Sequence, residues 1–393
     1  AASAPRYRPG RGAPVGREDA PPAARLDLAP FGVYAQQNGA VMTTTHTLDE
    51  RLVDATTGTL ELFGVYLGTR LGLYQALADR GRLTATGLAS ATGIHPRCAR
   101  EWLEQQAVAG FLAVDDVRRA PARRRYRLPA EAVGVLADPV DPAHVAPFAE
   151  MVVGIAQALD EVVEAYRSGG GVAYSRYGAT FRRGQGGINR PACATDLTGS
   201  WLPAVPGLHG RLSRPGARIA DVGSGHGWST IALAHAYPDA EVIGYDSDPA
   251  SVAEARVHAA GGKARFVVAD AVDVGSHGPF DALLLLECLH DMARPLAALT
   301  ACRAALAPGG SVIVIDENVA TAFTAPGDEV ERMMYGWSIT HCLPAAMAEQ
   351  PSAALGAALR PDTIRDLARA AGFSAAEVVD VDAGFFRVVH LAG

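Results

Sequence analysis

From Thr47 onward the apolar residues fall at helical spacing. Leu48, Leu52, Leu60, Phe63, Leu67, Leu71, Tyr74 and Leu77 recur at steps of three, four or eight, which allows them to share one helix face, and Gly81 punctuates the end. Thr84 to Thr92, closed by Gly93, reads as a short helix, and His95 to Ala109 as another with Trp102 and Leu103 turned inward. Phe111 to Val114 and Tyr126 to Leu128 read as strands around an Arg-rich loop. Three helices and a hairpin make a winged-helix pattern, which the spacing predicts for residues 46–138. Residues 139–212 hold more helix, for example Met151 to Tyr166, where Val152, Ile155, Leu159, Val162 and Val163 keep helical spacing. The glycine-rich, aromatic stretches GGGVAYSRYG and GQGGINRP follow, and we expect a connector packed over the next domain.

At Ala217 the pattern changes to alternation. ARIADVG, AEVIGYD, ARFVVAD, FDALLLLE and SVIVIDE read as strands. WSTIALAHAY, DPASVAEARVHAA and PLAALTACRAAL read as the helices between them. Nearly all-apolar strands alternating with helices predict a Rossmann-like, doubly wound parallel sheet over residues 213–393. RPDTIRDLARAAGF adds a helix, and VVDVD with FFRVVHLA a closing hairpin. Residues 1–45, rich in Pro, Gly, Ala and Arg without a period, are expected to form a disordered tail, and Met42 is a candidate internal start.

Bulk properties narrow the function. A length of 393 residues gives room for two or three domains. The formal net charge of -7 argues against general affinity for nucleic acid or anionic membrane. Five widely spaced cysteines, with no CxxC, argue against a disulfide framework or zinc knuckle and point to a reducing, cytoplasmic setting. The most apolar run, Leu60 to Ala78, is interrupted by Glu61 and Arg70, so no membrane span is expected.

The sharpest motif is DVGSGHG at Asp221 to Gly227, between the first strand of the sheet and its helix. Gly223, Gly225 and Gly227 permit a tight turn and close approach of a ligand, and the helix N-terminus behind them offers free N–H groups. Asp246 ends the next strand, where an acid receives ribose hydroxyls. A dinucleotide enzyme shares these features, but the glycines read GxGxG rather than GxGxxG, and Asp270 closes the third strand where it can accept from an adenine amine.

With these motifs in order, residues 217–393 resemble a class I S-adenosylmethionine (SAM)-dependent methyltransferase. DVGSGHG resembles its first motif, VIGYDSDP its ribose-binding strand end, FVVADAVD its adenine-side motif and LAPGGSVIVIDE its fifth strand. The resemblance implies SAM as cofactor, held by Asp221, Gly223, Ser224, Gly225, Gly227, Asp246, Ser247, Asp270, Ala271 and Glu287. The upstream winged helix extends the likeness to two-domain small-molecule O-methyltransferases, in which that domain serves dimerisation and substrate enclosure. The implied partners are a small-molecule substrate and a second copy of the chain. The apolar face from Leu48 to Leu77 is longer than a winged helix needs for its own core, so its excess should be buried against that copy or the connector.

The fourth strand ends in ECLHDMARP, which brings Glu287, His290 and Asp291 toward the methyl group. The related O-methyltransferases carry His-Asp-Trp here, with His as general base; this chain has His290, Asp291 and Met292, so the base is kept and the aromatic lost. Asp291 would orient the imidazole or begin the next helix. In ERMMYGWSITHCLPAAM, Met334, Tyr335, Ser338 and His341 are candidate substrate contacts on a helix capping the pocket. Alternatives stay open. His290 and His341 with a carboxylate could hold a metal for C-methylation of a 2-oxo acid. The arginines from Arg118 to Arg127 could make a SAM-binding winged-helix regulator, although Glu101 and Glu104 on the would-be recognition helix oppose DNA. The same cofactor motifs would also serve a non-methylating reaction.

Overall fold

A computed structural model describes residues 47–393; the tail expected over 1–45, with Met42, lies outside them. α1 (Leu48–Arg70) begins at a capping box, with Thr47 and Glu50 satisfying each other's backbone N–H groups. The continuous helix expected to Leu77 breaks at Gly72, whose φ of 65° turns the chain into α2 (Leu73–Arg80). α3 (Ala85–Thr92), α4 (Pro96–Val108), the antiparallel pair β1 (Ala113–Val114) and β2 (Tyr126–Arg127), and α5 (Ala130–Leu136) complete the N-terminal unit. Its core is built on Leu73, Tyr74, Leu77, Leu88, Trp102, Leu103 and Tyr126. α1 buries Gly64, Val65 and Gly68 instead of its leucines; Leu48, Leu52, Leu60, Leu67 and Leu71 remain exposed. Trp102 Nε1 donates to the Gly64 carbonyl at 2.8 Å, which the absence of a side chain at Gly64 permits.

Three of the wing arginines are paired with local acids. Arg118 and Arg119 reach Asp116, Arg124 reaches Glu104 at 2.8 Å, and Arg97 pairs with Glu101 within α4. Local acids thus offset part of the charge that phosphate contacts would use.

The connector is α6 (Pro147–Ser168) and α7 (Gly178–Asp196), then a wide turn over Leu197–Trp201 and the short α8 (Leu202–Ala204) and α9 (Leu208–Leu212). A glycine on each of these two long helices allows close approach. A Cβ at Gly154 would lie 2.6 Å from Cβ of Phe181, and one at Gly184 would lie 2.6 Å from the Met151 nitrogen. Gly154→Val is therefore expected to destabilise the chain by about 1–3 kcal/mol through overpacking, read from the denaturant midpoint at unchanged slope.

The C-terminal unit alternates β3 (Arg218–Val222), α10 (Trp228–Ala236), β4 (Glu241–Asp246), α11 (Pro249–His258), β5 (Arg265–Val268), β6 (Phe280–Leu286), α12 (Pro295–Ala304) and β7 (Leu306–Glu317). α13 (Glu329–Trp337), α14 (Leu343–Ala346), α15 (Pro361–Ala370), β8 (Ala375–Val378) and β9 (Phe386–Ala392) follow. The sheet order is β5-β4-β3-β6-β7-β9-β8, parallel except for antiparallel β9. The closing hairpin starts earlier than expected: Ala375–Val378 pairs with β9, and most of VVDVD runs on beyond the strand. Successive strands move outward from β3 and then return to β6 on its other side, which opens a crevice at the carboxyl ends of β3 and β6. No helix among the described residues is long and apolar enough to cross a membrane.

Candidate active site

The glycine loop leaves β3 at Val222 and enters α10 at Trp228. Gly223 (φ 75°) and Gly227 (φ 82°) take left-handed turns, and a Cβ at either would strike Cys288 or Phe266 within 2.7 Å. Gly225 (φ 49°) faces open space. Asp246, at the end of β4, accepts N–H bonds from Gly225 and Asp248, both at 2.8 Å. Burial raises its pKa to about 6. Ser224 Oγ and His226 Nε2 are buried without a partner, as polar atoms facing a ligand site would be.

These groups line a cleft of about 540 Å³ that also includes Gly223, Gly227, Ser247, Asp270, Ala271 and Glu287. Asp270 accepts from the Val272 N–H at 3.0 Å and pairs with Arg294 at 2.8 Å. Asp221 is the exception among the expected contacts. It lies beneath the loop, buried, and accepts from the Ser229 and Thr230 hydroxyls, both at 2.6 Å. It anchors the start of α10 rather than facing the cleft, because the strand's last inward position points into the sheet–helix layer. The cleft has the glycine cradle and carboxylate that a nucleoside-bearing cofactor such as SAM requires.

The second cavity, about 320 Å³, lies beside it. Gln185, Asn189, Glu287, Asp291 and His341 belong to the walls of both. Just past β6, His290 is buried, and its Nδ1 lies 2.9 Å from Asp316 Oδ1 at the end of β7. Its Nε2 stands 3.4 Å from Asp291 Oδ1. Burial alone would lower the imidazole pKa, but Asp316, Asp291 and Glu317 outweigh it and raise the value well above the ordinary one. The same ion pair depresses the Asp316 pKa against the upward pull of burial. Glu287 has a positive φ of 47°, unusual for a side chain of this size. Its carboxylate accepts from Asn189 and, at 3.4 Å, from Gln185, both on α7, and burial raises its pKa to about 7.

Of the capping-segment residues, Met334 and His341 line the inner cavity together with Trp337 and Cys342. Tyr335 and Ser338 do not. Tyr335 turns outward against Phe323, and Ser338 Oγ accepts from the Ala357 N–H at 3.2 Å. The helical turn explains the split: Met334, Trp337 and His341 recur on the inward face, while residue 335 lies off it. Ser338 is near that face but is held by a backbone partner.

His341 does not join His290 in a ligand set. Among the described residues, groups whose donors lie close enough for one metal are His290, Asp291 and Cys342, and His290, Asp316 and Glu317. His341 stacks on Phe181 at 4.1 Å and meets Tyr177 edge-on at 4.5 Å. Its Nε2 has no hydrogen-bond partner, and burial drops its pKa to about 4. Aromatic packing, invisible in a linear sequence, fixes the ring. Sequence reasoning also missed Asp316, Gln185 and Asn189. Asp316 had a signal, an acid ending the apolar run SVIVIDE; the two α7 amides had none.

Residues 219–310 match the family described as a methyltransferase domain, and residues 59–138 match the Rv2258c-like winged HTH domain. A ubiquinone biosynthesis O-methyltransferase from Cereibacter sphaeroides is 37% identical over 109 residues, 27% of this chain. The match spans 43% of that relative's length. Human N-acetylserotonin methyltransferase, solved in complex with SAM, superposes with a TM-score of 0.65 at 18% identity, covering 89% of this chain and 99% of its own. Mitomycin 7-O-methyltransferase gives 0.59 at 20% identity, covering 88% and 97%. These two likenesses concern the fold, and they run through both units and the connector. The chain therefore carries a methyltransferase domain, matched over residues 219–310, behind a winged HTH domain matched over residues 59–138.

Proposed function

We propose that this chain transfers a methyl group from SAM to a hydroxyl of a small molecule, such as a secondary metabolite, with His290 as general base. The observation that carries the reading is the shared wall. A glycine-loop cleft with Asp246 shares Asp291 and Glu287 with a second cavity lined by His290, whose Nδ1 is held by Asp316. Bound in the cleft, SAM would supply an activated methyl. Asp316 holds Nδ1 of His290, which leaves Nε2 to take the hydroxyl proton. As the acceptor oxygen bonds to the methyl carbon, the carbon–sulfur bond breaks, and S-adenosylhomocysteine, a methyl ether and the proton on His290 remain. Incubation with labelled SAM and candidate hydroxylated metabolites, followed by mass spectrometry, tests this; tight binding of NAD with no response to SAM would overturn it.

Asp246→Ala is expected to weaken S-adenosylhomocysteine binding by about 10–100-fold in calorimetry, since two ribose hydroxyls lose a charged acceptor. Because burial lifts Asp246 to about 6, wild-type affinity should fall as pH drops through that value and the carboxylate takes a proton. An affinity independent of pH between 5 and 8 would remove the charged-acceptor role.

We further propose a homodimer formed through the exposed face of α1. Leu48, Leu52 and Leu60 are each more than 60% exposed, an unusual density of bare leucine on one helix. Light scattering at micromolar concentration should report twice the chain mass; a monomer would remove this claim. All five cysteines are free thiols, which supports a cytoplasmic setting.

A further inference from the structure

Carboxylates dominate the charged groups on the walls of the inner cavity. Asp196, Glu287, Asp291, Glu317 and Asp382 line it, and no lysine or arginine does. His290 is the nearest cationic group, and it is engaged by Asp316. Glu317 is only 7% exposed, and neither its Oε2 nor the buried Asp291 Oδ1 accepts a hydrogen bond; the His290 imidazole stands 3.7 Å and 3.4 Å from them. Buried acceptors without donors are costly, and a ligand that brings a donor relieves that cost. Around these carboxylates stand aromatic rings, with Phe148 stacked on Trp337 at 5.9 Å and Trp201 meeting Phe386 edge-on at 5.3 Å.

We infer that this cavity selects an aromatic substrate bearing a protonated amine and discriminates against the matching carboxylate. The inference rests on the reading of this cavity as the methyl-acceptor site. An ammonium in it meets the open oxygens of Glu317 and Asp291 and the faces of the aromatic walls. A carboxylate there meets five carboxyl groups and no cation besides His290, which Asp316 already holds, and a buried anion without a free partner is strongly disfavoured. The 2-oxo acids suggested by one sequence reading are therefore poor occupants. Burial pushes the pKa of Glu317 well up and that of Glu287 to about 7, with His290 pulling both the other way, so an arriving ammonium would add a second cation and favour their charged forms. A bound ammonium would also compete with the His290 proton for the same carboxylates and so favour the neutral imidazole.

The test uses matched amine, alcohol and carboxylate triples on phenol, indole and naphthalene cores; tyramine, tyrosol and 4-hydroxyphenylacetate form the first. Binding is measured by calorimetry on the full chain loaded with S-adenosylhomocysteine, with a chelator present. On at least one core the amine should bind about tenfold or more tightly than both its counterparts, and Glu317→Gln should reduce that preference while leaving S-adenosylhomocysteine affinity unchanged. Asp382→Asn, on the exposed rim, should reduce it less. Equal or tighter binding of the carboxylates, or no binding of any amine, would overturn the inference. Failure of S-adenosylhomocysteine to bind would instead remove the methyl-transfer reading on which it rests.

Discussion

His290→Ala is expected to lower turnover by about 10²–10⁴-fold while leaving S-adenosylhomocysteine affinity nearly unchanged. The two effects separate because His290 lines the inner cavity and not the cofactor cleft. Single-turnover kinetics and calorimetry on the same preparation would show the split. The wild-type pH profile adds a second check. Asp316, Asp291 and Glu317 hold the imidazole proton well above its ordinary pKa, so the reactive neutral form grows as pH rises. Activity should therefore climb through the alkaline range instead of levelling near pH 7. A His290→Ala enzyme of wild-type activity would refute the base and move the chemistry elsewhere in the cavity. Loss of activity on chelation, restored by added divalent metal, would assign His290 to a metal with Asp316 and Glu317 or with Asp291 and Cys342.

Asp316→Asn is the second large effect, and it acts through His290. The carboxylate accepts from Nδ1 at 2.9 Å, which places the proton there and leaves Nε2 able to accept. An amide can turn its NH₂ toward Nδ1, and the neutral imidazole then carries its proton on Nε2, the wrong nitrogen for the reaction. A fall in turnover of about 10²–10⁴-fold is expected, similar to loss of the histidine itself. The variant also loses the nearest of three charges that raise the imidazole pKa, so the residual activity should reach its plateau at lower pH than wild type. A merely structural role would lower turnover without moving the profile. Asp316→Glu, which keeps the charge, should recover part of the activity.

The regular parts of this molecule were legible because their signals are local. Alternation of near-continuous apolar strands with helices from Ala217 onward named the doubly wound sheet, and the GxGxG spacing named the loop that turns into α10. Each depends on a few adjacent residues and on backbone geometry that glycine alone tolerates. Asp246 and Asp270 were found for the same reason: an acid at the end of a parallel strand must emerge at the crevice. His290 followed from its position just past β6.

What the sequence could not give depends on residues far apart in the chain. α7 was read as a glycine-rich connector, yet it is a helix, since Gly154 and Gly184 let it lie against α6 and packing overrides its poor helix propensity. That placement brings Asn189 and Gln185 onto Glu287, about a hundred positions away. The Asp316–His290 bond joins two strand ends, and the stacking of His341 on Phe181 joins the capping segment to the connector. The expectation that the segment after the fifth strand caps the pocket put Tyr335 and Ser338 within reach of substrate, but the rotation of α13 and the turn after it sends one to the surface and gives the other to Ala357. The sheet, the glycine cradle and the position of the histidine could be read along the chain, because strand ends and tight turns are set by neighbours. Which nitrogen of that histidine is held and what charge surrounds it emerge with folding alone, because electrostatic partners in a buried site are chosen by packing across the whole chain.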